Sequence, residues 1–372
     1  MEDALRHGRR RSAKVGRMIK KLIHFLYVLL ILALIIGVPA MWMLHRSYSD
    51  PEVHYYYTKE NRENKENSIS EENSENEENS KGIENSENAK NSESEENKEK
   101  AGTESLRFIV ISDLYGYVFE GGNGVIADMV SNTFPDCILV GGNMINGEAE
   151  EITETTDLIR RLSQIAPVYY SYGEQERKYV TAHSGDGPDG DQKSDTASGA
   201  SSDPLREALE KAGAVVLSGE FRDMQLYGIG VRIGGMYGNA YELTNLKGDV
   251  KKNSEETWNL LSRFQDTDRL KIMLSIRPES FIYSDACDKW DIDLVVSGNL
   301  IGGLVVLPKY GGVFGNSQGY FPEYVHGLYE KGDVKIFITS GLSAPKGTIP
   351  RFNNPPEIAV IDIDGLSRAK ND

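Results

Sequence analysis

Histidine is scarce in this 372-residue chain, and its distribution decides much of what the protein can do. There are six, at His7, His24, His45, His54, His183 and His326, and only the last two lie beyond residue 60. A site that needs four imidazoles cannot be assembled from that inventory in the C-terminal part of the chain. Cysteine is equally sparse. Cys137 and Cys287 stand about 150 residues apart, and Cys137 falls in an expected buried strand, so the pair reads as two buried, unpaired thiols rather than a disulfide framework. Net positive charge is also missing. The formal charge is −16, which excludes a nucleic-acid partner for the C-terminal region.

Acidic, lysine and arginine side chains are absent from one stretch, Leu22 to Leu44, which is 23 residues long. As a helix it would span roughly 34 Å, enough to cross a hydrocarbon core of about 30 Å. Pro39 lies in its last third and Trp42 near its outer end, placements that membrane helices tolerate and favour. The apolar core of a cleaved signal peptide is shorter, so a retained single-pass anchor is expected. Residues 1–21 carry Arg6, Arg9, Arg10, Arg11, Lys14, Arg17, Lys20 and Lys21 against Glu2 and Asp3. That excess puts the N-terminus in the cytoplasm and the C-terminal domain outside the cell membrane. The same cations can touch anionic head groups.

Residues 45–105 read as a linker. From Glu60 onward an Asn returns every six residues, from Asn61 to Asn97, usually after Glu. A period of six fits neither strand nor helix, and Ile69 and Ile83 are nearly the only apolar residues there. Such a charged coil spans about 40–45 Å, so the expectation is a disordered spacer that holds a domain away from the membrane.

Residues 106–368 have the composition of one packed α/β domain. LRFIVISDL, PDCILVGGN, PVYYSYGEQE, RLKIMLSIRPE and WDIDLVVSGN are apolar runs that end in Gly, Asp or Asn turns. Between them DMVSNTF, TETTDLIRRLSQI, DPLREALEKAG and TWNLLSRF have helical character, and MQLYGIGVRIGGM reads as a hairpin. Residues 182–202 form a Gly/Ser/Asp-rich insertion, expected to be a mobile loop. Alternating elements of this kind imply layered sheets, with polar groups at the carboxyl ends of the strands.

The blocks ISDLYG, ILVGGN, YYSYGEQE, MLSIRPE and VVSGNLIGG, followed by the tail ending IPRFNNPPEIAVIDI, give residues 106–364 a resemblance to the calcineurin-like metallophosphoesterases, in particular their membrane-associated bacterial branch. The resemblance implies an α/β/β/α sandwich. It also implies two metal ions held by Asp-x-His, Gly-Asp, Gly-Asn-His-Glu, a lone His and Gly-His-x-His at the ends of these blocks. Asp113 keeps its place in that pattern. Tyr115 stands for the first His, Asn143 for the bridging carboxylate, Glu174 for the ligand Asn and Gln175 for the proton-donating His. Ile276 stands for the lone His, and Asn299 and Ile301 for the final pair.

Those exchanges remove the chemistry that the resemblance implies. A two-metal hydrolase needs ions ~3.5–4 Å apart with an anion between them. Asn143 is a neutral amide, isoleucine has no lone pair, and ions such as Zn²⁺ and Fe²⁺ favour imidazole. The expectation is therefore a pseudo-phosphoesterase without cofactor that binds a phosphorylated ligand or an envelope protein. The alternative is a hydrolase with one Mg²⁺, Mn²⁺ or Ca²⁺ held by the oxygens of Asp113, Asn143 and Glu174, with Gln175 beside them. Weaker candidates are Gly121, Gly122 and Gly124 as an anion cradle, and His326 with Tyr324 and Tyr329 as a ligand face; a tight turn and an exposed aromatic group account for them equally well. Arg277 and Glu279 read as local hydrogen-bonding residues, and Lys309 and Tyr310 as part of a turn.

Overall fold

In strand β2 (Glu104–Ile111), Phe108 and Val110 face one side and Ile109 and Ile111 the other, and all four are fully buried. A strand apolar on both faces must be covered on both, and that requirement builds the domain in layers. The computed structural model describes residues 2–58, 104–146, 149–183, 203–237, 255–315 and 318–366. The first sheet has the order β1-β16-β2-β3-β4-β5, adding β1 (Glu52–Tyr57), β3 (Cys137–Val140), β4 (Val168–Ser171), β5 (Ala214–Leu217) and β16 (Glu357–Leu366). The second has the order β14-β15-β9-β8-β7-β6. It comprises β6 (Glu220–Leu226), β7 (Ile229–Met236), β8 (Leu270–Ser275), β9 (Leu294–Ser297), β14 (Gly327–Lys331) and β15 (Val334–Ile338), while β10 (Val306–Leu307) with β11 (Gly311–Gly312) and β12 (Phe314–Gly315) with β13 (Gly319–Tyr320) form two short ribbons.

The two sheets face each other across Phe108, Val110, Leu139, Val231, Ile272, Val296 and Phe337. Helices α2 (Gly124–Ser131), α3 (Ala149–Ser163), α4 (Glu174–His183) and α5 (Pro204–Lys211) cover the outer face of the first sheet through Ile126, Ile159, Tyr179 and Leu209. Helix α6 (Glu255–Phe264) and the single turns Glu279–Ile282 and Ala286–Lys289 cover the second through Leu261, Phe281 and Ala286. This is the expected α/β/β/α sandwich. The expected hairpin is β6 and β7, paired antiparallel from Glu220↔Gly235 to Leu226↔Ile229. Cys137 and Cys287 are both buried and unpaired, as their spacing suggested.

The N-terminal helix α1 runs Glu2–Arg46, so the basic segment and the apolar run are one continuous element. Lys20–Arg46 has the length and apolar character to cross a membrane.

Residues 45–105 need correction. Glu52–Tyr57, read as linker, form β1, which pairs in parallel with β16 from Glu52↔Glu357 to Tyr57↔Asp362. Tyr55, Tyr56 and Tyr57 supply the β-favouring side chains that a reading dominated by the Glu-Asn repeat passes over. Only five residues therefore separate α1 from the first strand of the domain. Asn353 N–H donates to the Met43 carbonyl (3.3 Å), Asn354 N–H to Ser47 Oγ (3.1 Å) and Glu52 N–H to the Pro356 carbonyl (2.8 Å). Arg46 grips Glu52 through two hydrogen bonds of 2.7 Å. The repeat does not separate the helix from the domain; it leaves the sheet after β1 and returns at β2, two places along. The repeat itself, within residues 59–103, and most of the 182–202 insertion lie outside the described residues.

Candidate functional site

The ends of β2, β3 and β9 converge, and each is followed by a residue in the left-handed region: Asp113 (φ 58°), Asn143 (φ 53°) and Asn299 (φ 69°). Tyr115 (φ 51°) and Ile301 (φ 50°) share that conformation, which is costly for a β-branched residue. Strained backbone persists only where its surroundings over-determine it. Here close packing does so. A Cβ on Gly142 would meet Gly173 N at 2.3 Å, and one on Gly298 would meet Asp113 Oδ2 at 2.3 Å.

Asp113 has no solvent exposure, and hydrogen-bond donors reach both its oxygens. Asn143 Nδ2 donates to Oδ1 (2.9 Å) and Asn299 N–H to Oδ2 (2.7 Å). Asn143 Nδ2 also lies 3.1 Å from the Tyr115 hydroxyl and 3.3 Å from Asn299 Oδ1, while Asn143 Oδ1 accepts from Gln175 N–H (3.2 Å). The amide thus points its donor, not its acceptor, at the carboxylate. Burial raises the Asp113 carboxyl above its ordinary value of 3.8, and the hydrogen bonds from Asn143 and Asn299 only partly offset that.

Two expected ligands are elsewhere. Glu174 lies in the first turn of α4 and pairs with Lys178 (2.8 Å), its side chain 44% exposed. Gln175 meets Asn143 through its backbone, not its side-chain amide. A site of Asp113, Asn143 and Glu174 oxygens is therefore not formed: Asp113 is taken up by N–H donors, the Asn143 oxygen is turned away, and Glu174 is drawn out by its own helix. These residues do not fit a divalent cation, nor the two-metal centre that the resemblance implies.

The apolar substitutions fill space instead. Tyr115, Ile301 and Leu304 form a small buried cluster against Phe314 and Ala344. Ile276 is buried at the end of β8, outside that cluster. Over Tyr115 and Ile301 opens a hollow of about 370 Å³, reaching Leu304, Phe314, Pro345 and Ile349.

Two charged residues were not singled out from the sequence. Glu176 is fully buried and accepts from Asn143 N–H (2.8 Å), Met144 N–H (2.7 Å), Gly173 N–H (2.9 Å) and the Tyr170 hydroxyl (2.7 Å). It occupies the Glu of the Gly-Asn-His-Glu pattern, a signal already on view in YGEQE. Arg351 is the largest fully buried side chain, and its guanidinium donates to the carbonyls of Ser340, Ser343, Asn354 and Pro355. Burial lowers it to about 10, against the opposing pull of Glu357 and Asp113.

His326 does not form a ligand face with the rings of Tyr324 and Tyr329. Its imidazole reaches Glu357 (2.9 Å), with His54 and Tyr56 beside it. Gly121 and Gly122 have positive φ in the turn before α2, the tight turn weighed against an anion cradle. Arg277 donates to the Tyr237 hydroxyl (3.0 Å), 40 residues away, so its side-chain contact is not the local one expected.

No family model matches the sequence, and no curated protein matches it. Among solved structures, similar chains include phosphopantetheinyl hydrolase (PptH) from Mycobacterium tuberculosis, 13% identical over 63% of this chain and 88% of that one, with a TM-score of 0.37. The 5'-nucleotidase precursor from Thermus thermophilus is 13% identical over 63% and 48%, with a TM-score of 0.36. GAP50, the anchor in the inner membrane complex of Plasmodium, is 10% identical over 69% and 81%, with a TM-score of 0.37. Likeness at this level says nothing of activity; the layering described above shows an α/β/β/α sandwich with polar groups at converging strand ends.

Proposed function

We propose that this is a membrane-anchored, extracytoplasmic protein of metallophosphoesterase architecture that binds a partner and does not hydrolyse phosphoesters. The observation that carries the reading is the Asn143 amide, which presents N–H to Asp113 at 2.9 Å where a two-metal hydrolase needs a bridging anion. Gln175, at the place of the leaving-group acid, is a neutral amide that engages Asn143 through its backbone.

The hollow over Tyr115 and Ile301 supports the protein partner over the phosphorylated ligand. Among the described residues that line it none is lysine or arginine, whereas Leu304, Phe314 and Ile349 are apolar. A phosphate would find no counter-charge there, and an apolar side chain of an envelope protein would find a matching surface. The anchor reading rests on the 27-residue span Lys20–Arg46, and the outward placement on the cations that precede it.

The test uses the full chain in detergent micelles. With millimolar Mn²⁺, Mg²⁺ or Ca²⁺ and bis-p-nitrophenyl phosphate, turnover should equal that of Asp113→Ala. Metal-dependent turnover lost in Asp113→Ala would establish the hydrolase alternative instead. Crosslinking from a photoreactive residue at position 349 should capture an envelope protein, and Leu304→Asp should abolish the adduct.

A further inference from the structure

We propose that His54, His326 and Glu357 form a site for one divalent transition-metal ion of the zinc class, which clips the strand following the membrane helix to the body of the domain. The ligand atoms lie within 4.8 Å of one another. They come from three separate parts of the chain: His54 from β1, His326 from the residue before β14, and Glu357 from the first position of β16. None belongs to the set around Asp113, so the proposal stands apart from the reading above.

The carboxylate is built to face the imidazoles. Glu357 Oε2 accepts from the Thr339 hydroxyl (2.7 Å) and Ser340 N–H (2.7 Å), which fixes the side chain and turns Oε1 outward. Around Oε1 stand His326 Nε2 (2.9 Å), His54 Nδ1 (3.0 Å) and the Tyr56 hydroxyl (2.7 Å). The Glu357 side chain is completely buried, while the imidazoles are 36% and 38% exposed, so an ion can enter from solvent onto a fixed anionic base.

The far side of His54 carries the support that metal-binding histidines have. Its Nε2 faces Glu52 Oε2 at 3.5 Å, and Arg46 holds that carboxylate. A carboxylate behind an imidazole orients the ring and raises its basicity as a ligand. A tetrahedral Zn²⁺ has bonds of ~2.0–2.2 Å, which places its ligand atoms about 3.3 Å apart. The contacts to Glu357 Oε1, 2.9 and 3.0 Å, need open by a few tenths of an ångström, while the two imidazole nitrogens, within 4.8 Å of each other, must come to the same spacing, and rings that are about a third exposed can make both adjustments. Two imidazoles and one carboxylate are the donors Zn²⁺ favours and Mg²⁺ or Ca²⁺ does not. The fourth position goes to water or to the Tyr56 hydroxyl, 3.0 Å from His326 Nε2.

The site is complete only when β1 is docked, because β1 supplies His54. Binding the ion therefore tightens the junction between α1 and the sandwich, which β1 makes through its single ladder to β16.

The experiment titrates the full chain in micelles, stripped with chelator, with Zn²⁺ against a chromophoric competitor and with Co²⁺ by visible absorption. One equivalent should bind, with the intense bands of tetrahedral Co²⁺, and should raise the thermal midpoint. Glu52→Ala should weaken binding about 10–100-fold, and His54→Ala or His326→Gln by at least as much. Asp113→Ala should leave affinity unchanged. Failure to take up either ion at micromolar concentration, or uptake that survives both histidine substitutions, overturns the proposal. Uptake lost in Asp113→Ala and kept in His54→Ala overturns it too, and also removes the support for the metal-free reading of Asp113, so the two failures are distinct.

Discussion

Asn143 Nδ2 sits 2.9 Å from Asp113 Oδ1, and this contact inverts the expected electrostatics of the strand ends. A centre that gathers cations needs carboxylate facing carboxylate. Here a carboxylate faces a donor, and a second donor, Asn299 N–H, takes its other oxygen. The arrangement is self-sufficient, and it follows that an added charge harms it.

Asn143→Asp is the direct test. It sets two carboxylates about 3 Å apart in a fully buried place and removes the Asn143 donor to Asp113 Oδ1. The expected cost is about 3–5 kcal/mol, the range for an uncompensated buried charge. Urea unfolding followed by the fluorescence of Trp258 and Trp290, which stack edge-to-face at 4.8 Å, measures it. Recovery of that loss with millimolar Mn²⁺ would show that the frame still accepts an ion and would restore the hydrolase alternative.

Asp113 also sets a pH dependence. Its carboxyl is raised above 3.8 because burial outweighs the hydrogen bonds it receives. A raised acid stabilises the fold fully below its unfolded value and loses that contribution as pH rises through the folded value. Asp113→Ala leaves the Asn143 and Asn299 donors without their acceptor at every pH, but it also removes the buried charge. The stability difference between wild type and Asp113→Ala should therefore be larger near pH 4 than at pH 7. A difference that grows with pH would mean that the ionised form is the favoured one.

The strand ends were legible from the sequence because glycine and asparagine follow apolar runs at each of them, and Asp113, Asn143 and Asn299 do converge. Of the expected apolar seats, Tyr115 and Ile301 pack together, whereas Ile276 lies outside their cluster. Which glutamate points inward was not legible. Glu174 and Glu176 are two residues apart in one helical turn, and only the position of the β3 loop, with its free N–H groups at Asn143 and Met144, selects Glu176. Nor could the sequence pair Glu357 with His54, 303 residues away. That contact depends on β1 joining the sheet, a strand whose tyrosines adjoin a long polar repeat.

Glu176→Ala should be among the most damaging single changes in the domain. It strands three backbone N–H groups and the Tyr170 hydroxyl, all buried. Each lost charged hydrogen bond is worth about 1.5–3 kcal/mol, and the loops that it ties are the ones that carry Asn143 and Gly173. A loss of at least about 4 kcal/mol in urea unfolding is expected. The Ala variant of Glu174, whose exposed partner is Lys178, should differ from wild type by less than about 1 kcal/mol in the same assay. Similar losses from both substitutions would return Glu174 to the site.

The polar repeat offers the last test, because its two ends lie on one sheet. β1 and β2 flank β16, so Tyr57 and Glu104 belong to strands separated by a single neighbour, about 10 Å. A loop of ten or so residues can bridge that gap. Replacing residues 61–100 with eight Gly/Ser residues should leave the domain folded and attached to α1. Loop closure becomes easier by about 1 kcal/mol, since each halving of loop length recovers roughly 0.6 kcal/mol. Deleting residues 52–57 is the opposite case. It removes the ladder to β16 and the Arg46–Glu52 grip together, so a protease should then cut between residue 47 and the domain, where wild type resists. Were the repeat a spacer between membrane and domain, the shortened chain would instead be the one that loses function or accessibility, while the 52–57 deletion would be silent.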